Sequence, residues 1–289
     1  MVIGIRGVRV GHWTDLVGET GCSVLILPEG TTASYEVRGG APASRELDAL
    51  APDKAVLQVD AIVLTGGSAF GLAAADGVMR YLEQHNRGVA TSGGKIPIVP
   101  ALALFDLDTG SPAARPTAEH GYAAAAAAAG DQLLCGRIGA GAGAYVAHWR
   151  GTQSRRPGGI AYAEKQLGEL VVGALCAVNA FGDIDHGTTE ISLDAVAQLT
   201  RPFEFADSRT HTTIGAVVTN ARLDKVGCRI VAQGAHDGLS RALTPPHTRY
   251  DGDGFIAAAT GETDADVDIV RLMALAAVTE AIRSVGPRT

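Results

Sequence analysis

The stretch "TTIGAVVTNA", residues 212–221, is a β-rich run that follows the polar residues "SRTH". Threonine is a good strand former, so propensity alone predicts that Thr212 and Thr213 open a strand here. Composition and periodicity identify neither threonine as a nucleophile. The run therefore predicts a strand, and leaves open whether its first residues also carry chemistry.

Further runs of the same kind occur along the chain, separated by stretches with helical spacing of apolar residues. Strands are predicted at 22–28, 61–67 and 168–183, and helices at 68–88, 121–134, 223–243 and 263–286. Ser68 is expected to cap the first helix, Gly88 to end it, and Thr263 or Asp264 to cap the last. Because strands and helices are interspersed, the sequence predicts an α/β class.

Composition limits the possible functions. The chain has 289 residues, 46% of them hydrophobic and 19% charged, as expected of a globular protein. We predict a single domain, 1–289. A net charge of −7 argues against nucleic acid as a partner. The start "MVIGIRGVRVGHW" lacks the features of a secretory signal, and no apolar run approaches the ~20 residues that span a bilayer. We therefore expect a cytoplasmic protein with no membrane partner.

The cysteines and histidines offer no metal-ligand spacing. The four cysteines contain no CxxC pair and are expected to be reduced, buried small side chains. The histidines considered are scattered and are interpreted as surface or structural residues: His186, His211, His236 and His247. The sequence thus predicts neither a metal site nor a cofactor.

Two short segments have both a functional and a structural interpretation. The turn "LTGGSAFGL", residues 64–72, can present the backbone N–H groups of Gly66 and Gly67 to an anion, or it can be a tight strand-to-helix turn that needs a positive φ. In "HTRYDGDGF", Asp251 and Asp253 would share one face of an extended segment and raise each other's pKa, or lie in a solvated turn.

Asn179 is the third candidate. It interrupts the apolar run "LCAVNAFGD", so a buried amide there must find hydrogen-bond partners. It can satisfy a turn at the end of a strand, or it can donate to a developing oxyanion. The residues alone leave both interpretations open.

Taken together, these segments resemble the family of L-aminopeptidase/D-amino-acid esterases, β-peptidyl aminopeptidases and nylon-oligomer endo-hydrolases. The resemblance covers nearly the whole chain. It rests on the order and spacing of the following blocks: "GVRVGHW", "LTGGSAFGLAAADGV", "GRIGAGAGA", "LCAVNAFGD", "TTIGAVVTNARLDK" and "PPHTRYDGDGFIAAATG".

The resemblance implies a four-layer α/β/β/α sandwich of the N-terminal-nucleophile-like (aminopeptidase/ornithine acetyltransferase-like) type. It implies autocatalytic cleavage between His211 and Thr212, giving chains 1–211 and 212–289 that stay associated. The new N-terminal threonine would act as nucleophile with its own amine as base. By the same resemblance Asn179 would stabilise the oxyanion, while Asp251 and Asp253 would hold the amine and hydroxyl of Thr212.

Three positions depart from the family pattern. The residue before the cut is His211, where the family usually has Asn or Gly. His148 stands where the nylon-oligomer branch has a catalytic lysine, and Phe105 stands where it has a tyrosine. His148 is still expected to be catalytic, because imidazole exchanges protons near neutrality. Phe105, with Gly66 and Gly67, is expected to bind substrate.

The expected function is therefore a self-processing amidohydrolase or aminopeptidase that cleaves a small peptide, amide or ester through an acyl-enzyme on Thr212. Two alternatives remain: an acyltransferase of the ornithine acetyltransferase type, and an uncleaved inactive homologue that binds a small molecule. The family resemblance further implies a homotetramer of processed protomers.

Overall fold

The computed structural model describes residues 1–187 and 211–286. Two five-stranded sheets face each other, and helices cover the outer face of each. The predicted α/β/β/α sandwich is confirmed. The segment 188–210, which precedes His211, lies outside the described residues.

Groups of strands and α-helices follow one another along the chain. The strands are β1 Arg9–Asp15, β2 Thr20–Ile26, β3 Thr32–Val37, β4 Ala43–Arg45, β5 Ala61–Thr65, β6 Val89–Thr91, β7 Gly94–Ile96, β8 Ala101–Ala103, β9 Tyr145–Val146, β10 Arg156–Pro157, β11 Gly159–Leu167, β12 Leu170–Asn179, β13 Asp183–Ile184, β14 Thr212–Ala221, β15 Leu243–Thr244 and β16 Gly254–Thr263. The helices are α1 Ser68–Gly71, α2 Ala74–Gln84, α3 Ala118–Ala126, α4 Lys225–Ala242 and α5 Val267–Arg283.

The strand order places both sides of the 211/212 junction in one sheet. The first sheet runs β1-β2-β5-β8-β4, and the second runs β11-β12-β14-β16-β3. In the second sheet β14 pairs antiparallel with β12 and parallel with β16, and β16 pairs with β3. A break before Thr212 would therefore leave two chains whose strands hydrogen-bond to each other, which keeps them together.

Apolar side chains fill three layers. The central layer lies between the two sheets and includes Leu64, Leu102, Leu175 and Ile214. One outer layer joins the second sheet to α4 and α5, and the other joins the first sheet to α2 and α3. Helices α2 and α3 approach closely because small residues face each other: a Cβ at Gly77 would lie 1.6 Å from the Ala118 carbonyl oxygen.

The first predicted helix is corrected by the backbone of the turn that precedes it. Instead of one helix over 68–88, the chain forms α1 and α2, and α2 ends at Gln84. Ser68 has a φ of +53° and caps nothing, since the N-cap position is Gly67 with a φ of +78°. The helix therefore begins at Ser68 as predicted, but without a side-chain cap, and it is interrupted between Gly71 and Ala74.

Other boundaries also shift. The alanine-rich helix occupies Ala118–Ala126 instead of 121–134, starting at a capping box built on Thr117 and His120. The last helix is capped by Asp266, because β16 continues through Thr263 and delays the helix start. Cys135 is exposed, so the prediction that all four cysteines are buried is wrong for that residue. In the described ranges no helix is both long and apolar enough to cross a bilayer.

Strand alternation places the candidate nucleophile at one end of the central layer. Side chains of β14 at Ile214, Ala216 and Val218 face the other sheet, while Val217 faces the helices. With a period of two, Thr212 continues the row that faces the other sheet. The same parity along β12 puts Asn179 in that row, directly opposite Thr212 in the strand register.

Candidate active site

The hydroxyl of Thr212 is held against the carbonyl of the preceding residue. Thr212 Oγ1 donates a hydrogen bond to the carbonyl oxygen of His211. The backbone N–H of Gly252 donates to both of these oxygens, at 3.2 Å each. Both residues are buried, Thr212 with 4% and His211 with 3% of its surface exposed. One amide donor thus contacts a hydroxyl and the carbonyl that this hydroxyl would attack.

Asn179 joins the two sheets beside this hydroxyl. Its Nδ2 donates to the carbonyl oxygen of Phe105 at 2.7 Å, and its Oδ1 accepts from the Tyr145 backbone N–H at 2.9 Å. Phe105 follows β8 of the first sheet by two residues. The amide is therefore fixed in orientation, and the Phe105 backbone carbonyl is the group that fixes its nitrogen.

The acid pair lies on either side of Gly252. Asp253 Oδ1 accepts from the Thr213 N–H at 2.8 Å, and its Oδ2 lies 2.8 Å from Nδ1 of His247. Asp251 Oδ2 accepts from the backbone N–H and the hydroxyl of Thr248 at 2.9 and 2.6 Å. The sequence expectation that the pair contacts the Thr212 hydroxyl is not met in this uncut chain, because the partners of that hydroxyl are His211 and Gly252.

Burial and mutual repulsion affect the charge of this pair. Both carboxylates are almost fully buried, and burial, together with the nearby charge of Asp253, raises the pKa of Asp251 well above its usual range. Hydrogen bonds from Thr248 and from the Phe181 N–H oppose this shift. The arrangement keeps a proton at the acid pair close to neutral pH, so the solvated-turn interpretation is wrong.

A cluster of rings surrounds the side chain of His211. The His148 ring centroid lies 4.2 Å from that of His211, and the Phe181 centroid lies 5.0 Å from it. Burial lowers the pKa of His148 to about 4, with opposing contributions that include Asn179. His148 is therefore neutral and a weak base near pH 7, so it cannot replace the positive charge of a lysine.

The Gly66–Gly67 turn does not offer its amides to a ligand. Gly66 N–H donates to the Gly21 carbonyl at 2.8 Å, and Gly67 N–H donates to Asp106 Oδ1 at 2.6 Å. Ser68 N–H donates to the Leu104 carbonyl. The anion-site interpretation is wrong, and the tight turn with a positive φ is what the chain forms.

Three functional contacts were not predicted from the sequence: those of Gly252, His247 and Thr248. The two aspartates had been singled out, but the glycine between them carries the N–H that reaches Thr212. A Cβ at Gly252 would lie 2.8 Å from Thr212 Oγ1 and 2.7 Å from the Ala41 carbonyl oxygen. The available signal was the repeated Asp-Gly in "DGDG", since glycine permits such a close backbone approach.

In chemical terms the site combines a hydroxyl, an upstream carbonyl, an N–H donor aimed at both, and two carboxylates that share a buried segment. This is the set that acyl transfer requires: a nucleophile, a group that stabilises an oxyanion, and nearby proton carriers. Among residues 1–187 and 211–286, no cluster of three or more His, Cys, Asp or Glu side chains is arranged to hold a metal ion.

Sequence relatives extend over almost the whole chain. An uncharacterized aminopeptidase of Mycobacterium bovis is 39% identical, with 99% of this chain and 88% of the relative covered. A 6-aminohexanoate-oligomer endohydrolase of Paenarthrobacter ureafaciens is 30% identical, with 89% of this chain and 74% of the relative covered. The alternative of an acyltransferase is not favoured by these relatives.

Solved structures share the fold. An L-aminopeptidase D-Ala-esterase/amidase from Ochrobactrum anthropi, described as a variant of the Ntn hydrolase fold, aligns with a TM-score of 0.75 at 17% identity, over 98% of this chain and 84% of the other. A β-aminopeptidase from Burkholderia aligns with a TM-score of 0.73 at 22% identity, over 98% and 85%.

Residues 1–286 match peptidase family S58. The family resemblance expected from the sequence is confirmed, and so is the general function of a peptide or amide hydrolase. The chain belongs to peptidase family S58.

Proposed function

We propose that the chain is the precursor of an aminopeptidase or related amidohydrolase, which cuts its own His211–Thr212 bond and then uses Thr212 as an N-terminal nucleophile. The observation that carries the proposal is the contact of Thr212 Oγ1 with the His211 carbonyl, beside a Gly252 N–H that donates to both oxygens. Membership in a peptidase family supports it.

Self-cleavage is an N-to-O acyl shift followed by hydrolysis. Thr212 Oγ1 attacks the carbonyl carbon of His211 and loses its proton, and negative charge develops on the carbonyl oxygen. The Gly252 N–H, 3.2 Å from that oxygen, stabilises the charge. The C–N bond then breaks, the nitrogen of Thr212 takes up a proton, and water hydrolyses the resulting ester to a His211 carboxylate.

Turnover repeats the same chemistry on an incoming bond. The freed α-amine of Thr212, with an ordinary pKa of about 7.7–8.0, accepts the proton of the adjacent hydroxyl. The hydroxyl attacks the scissile carbonyl of a peptide, amide or ester, the amine or alcohol leaves, and water releases the acyl group. The relatives described above, an aminopeptidase and an oligomer endohydrolase, support an amide bond as the substrate.

The surrounding groups position the reacting atoms. Asn179 lies opposite Thr212 in the strand pair, with its amide nitrogen fixed by the Phe105 carbonyl. Asp253 holds the Thr213 N–H, next to the nitrogen that becomes the free amine. His148 is neutral and lies beside His211, so it packs against the junction without adding a positive charge.

Two neighbouring threonines give a matched test. Thr212→Val and Thr213→Val each remove one hydroxyl from a buried position with little change in volume, and Thr213 Oγ1 makes no hydrogen bond in the described structure. We expect Thr212→Val to release no p-nitroaniline from L-aminoacyl p-nitroanilides, while Thr213→Val and Thr212→Ser remain active. Activity of Thr212→Val equal to wild type would refute the proposal.

The homotetramer and the cytoplasmic location expected from the sequence remain predictions. We propose a homotetramer of processed protomers, consistent with exposed apolar side chains such as Val17 and Phe70, 90% and 59% exposed. Light scattering of the processed protein would give its mass in solution. A protomer mass would rule out the tetramer without affecting the chemistry at Thr212.

A further inference from the structure

Self-cleavage and substrate turnover pass through the same covalent species. In both, Thr212 Oγ1 is esterified to an acyl group: residue 211 in the first case, and the acyl residue of the substrate in the second. The groups around Thr212 that accommodate one ester must accommodate the other. This step rests on the proposed function, because it requires Thr212 to be the nucleophile in both reactions.

The side chain of residue 211 occupies a buried slot between rings. His211 is 3% exposed, with the ring of His148 at 4.2 Å and the ring of Phe181 at 5.0 Å. Phe181 is itself 1% exposed and lies 5.9 Å from the ring of Tyr250. The separations of the Phe181 ring from His211 and Tyr250 fall within the 4.5–7 Å typical of aromatic packing, and the His148 ring lies closer still. The slot is therefore suited to a planar side chain.

Phe181 is fixed in place by the catalytic segment. Its backbone N–H donates to Asp251 Oδ1 at 3.3 Å, and it follows Asn179 by two residues. The wall of the slot is therefore joined to the groups around Thr212 by a hydrogen bond and by two residues of chain. Because His148 is neutral near pH 7, the slot presents aromatic faces without a fixed positive charge on this wall.

We infer that the slot holding His211 in the precursor is the acyl-residue subsite of the mature enzyme, and that it selects substrates whose acyl residue carries an aromatic or imidazole ring. Hydrolysis of the first ester frees the His211 carboxylate, and the slot can then receive the side chain of a substrate. His211 departs from the family pattern because its side chain fits the same subsite that later binds the acyl residue of the substrate.

The experiment compares two series that the inference links. In the first, kcat/KM of the wild type is measured for the p-nitroanilides of L-histidine, L-phenylalanine, L-leucine and L-alanine. In the second, rates of self-cleavage are measured for wild type, His211→Phe, His211→Leu and His211→Ala. We expect the same order in both, with the ring-bearing residue favoured over alanine on the order of tenfold.

Two buried phenylalanines supply a matched pair of variants. Phe181→Leu removes the wall of the slot, while Phe255→Leu removes a ring from the layer under the helices. We expect Phe181→Leu to reduce the preference for phenylalanine over alanine to about threefold or less, and Phe255→Leu to leave that ratio unchanged. Should Phe181→Leu not fold, the inference is still tested by the substrate series of the wild type and by the self-cleavage rates of the residue-211 variants.

The outcomes separate this inference from the proposed function. Good activity with leucine and alanine but none with ring-bearing residues, or opposite orders in the two series, would overturn the subsite and leave Thr212 as nucleophile. Absence of p-nitroaniline release from all four substrates, together with an uncut chain, would count against the proposed function itself.

Discussion

Two glycine-rich turns of this molecule look alike in sequence and differ in what their amides contact. In the turn at Gly66–Gly67, the N–H groups donate hydrogen bonds to the Gly21 carbonyl and to Asp106. The turn at Gly252 aims its N–H at the Thr212 hydroxyl and the His211 carbonyl. The first turn has a structural role, connecting β5 to α1. The second turn is part of the candidate active site.

The difference lies in the aspartates that accompany the glycines. Asp106 comes from another segment and accepts from the Gly67 N–H of the turn at 2.6 Å and from Thr20 Oγ1 of β2 at 2.7 Å. Asp251 and Asp253 belong to the same segment as Gly252 but bond to Thr248, Phe181 and Thr213, so they leave the Gly252 N–H for the junction. A glycine-rich pattern therefore indicates a close approach of the backbone. Whether the turn has a structural or a catalytic role depends on which group accepts the hydrogen bonds of its N–H groups.

The largest effect is expected from a methyl group at the catalytic turn. Gly252→Ala places a Cβ 2.8 Å from Thr212 Oγ1 and 2.7 Å from a backbone oxygen, so the hydroxyl or the loop must move. Since a displacement of about 1 Å can cost about 10²-fold in rate, we expect self-cleavage to slow by at least about 100-fold. The fraction of cut chain on a denaturing gel, followed over time, measures this.

The control is the next glycine of the same turn. A Cβ at Gly254 would meet only the ends of the Leu102 and Val37 side chains, at 3.2 Å and beyond. Gly254→Ala is expected to cleave at close to the wild-type rate. Equal rates for Gly252→Ala and Gly254→Ala would show that the Gly252 amide has no special part in the reaction.

The structural turn should instead show its effect in pH-dependent stability. Burial raises the pKa of Asp106 from 3.8 to about 6, so between these values the folded chain holds a proton that the unfolded chain has lost. Unfolding free energy contributed by this group therefore falls as the pH rises from about 4 to about 6, by about 3 kcal/mol at most.

Asp106→Asn tests that assignment, because it removes the charge and keeps an oxygen for the Gly67 N–H. We expect the variant to lose this part of the pH dependence in urea melts at pH 4, 5, 6 and 7. A variant whose stability profile parallels that of the wild type across these pH values would show that Asp106 is not the group responsible.

A smaller loss of stability is expected from Gly67→Ala. Gly67 has a φ of +78°, and a Cβ there would lie 2.9 Å from Cδ of Pro116. The left-handed backbone costs an alanine about 1–2 kcal/mol, so we expect a loss of about 2 kcal/mol in unfolding free energy. Self-cleavage of the folded protein should continue at near the wild-type rate, and a collapse of cleavage with intact stability would contradict the structural role.

Local sequence signals predicted the fold well where burial and propensity agree. The strand at Thr212–Ala221 was placed with the right ends, because threonine opens it and apolar residues fill both faces. The helix predicted at 68–88 starts at Ser68 as expected, but it is interrupted after Gly71 and α2 ends at Gln84. Its predicted cap was wrong because Gly67 and Ser68 both have a positive φ. The N-cap at Asp266 was missed because the preceding strand runs further than its polar residues indicate.

Prediction of the site depended on long-range contacts. Asn179 and the acid pair were singled out from the residues, but their roles and the choice of Thr212 came from a family resemblance. The structure brings all four to one end of the central layer. The bond between Asp253 and His247 spans a loop, and the ring packing of His148 on His211 spans more than sixty residues. No local period encodes such contacts, which is why His247 had been interpreted as a surface or structural histidine.

The central claim is that the Thr212 hydroxyl attacks the His211 carbonyl. Intact-mass measurement of the purified wild-type protein tests it most directly. We expect two masses, those of residues 1–211 and 212–289, which together equal the full chain plus one water. A single full-length mass, or a break at any other bond, would contradict it.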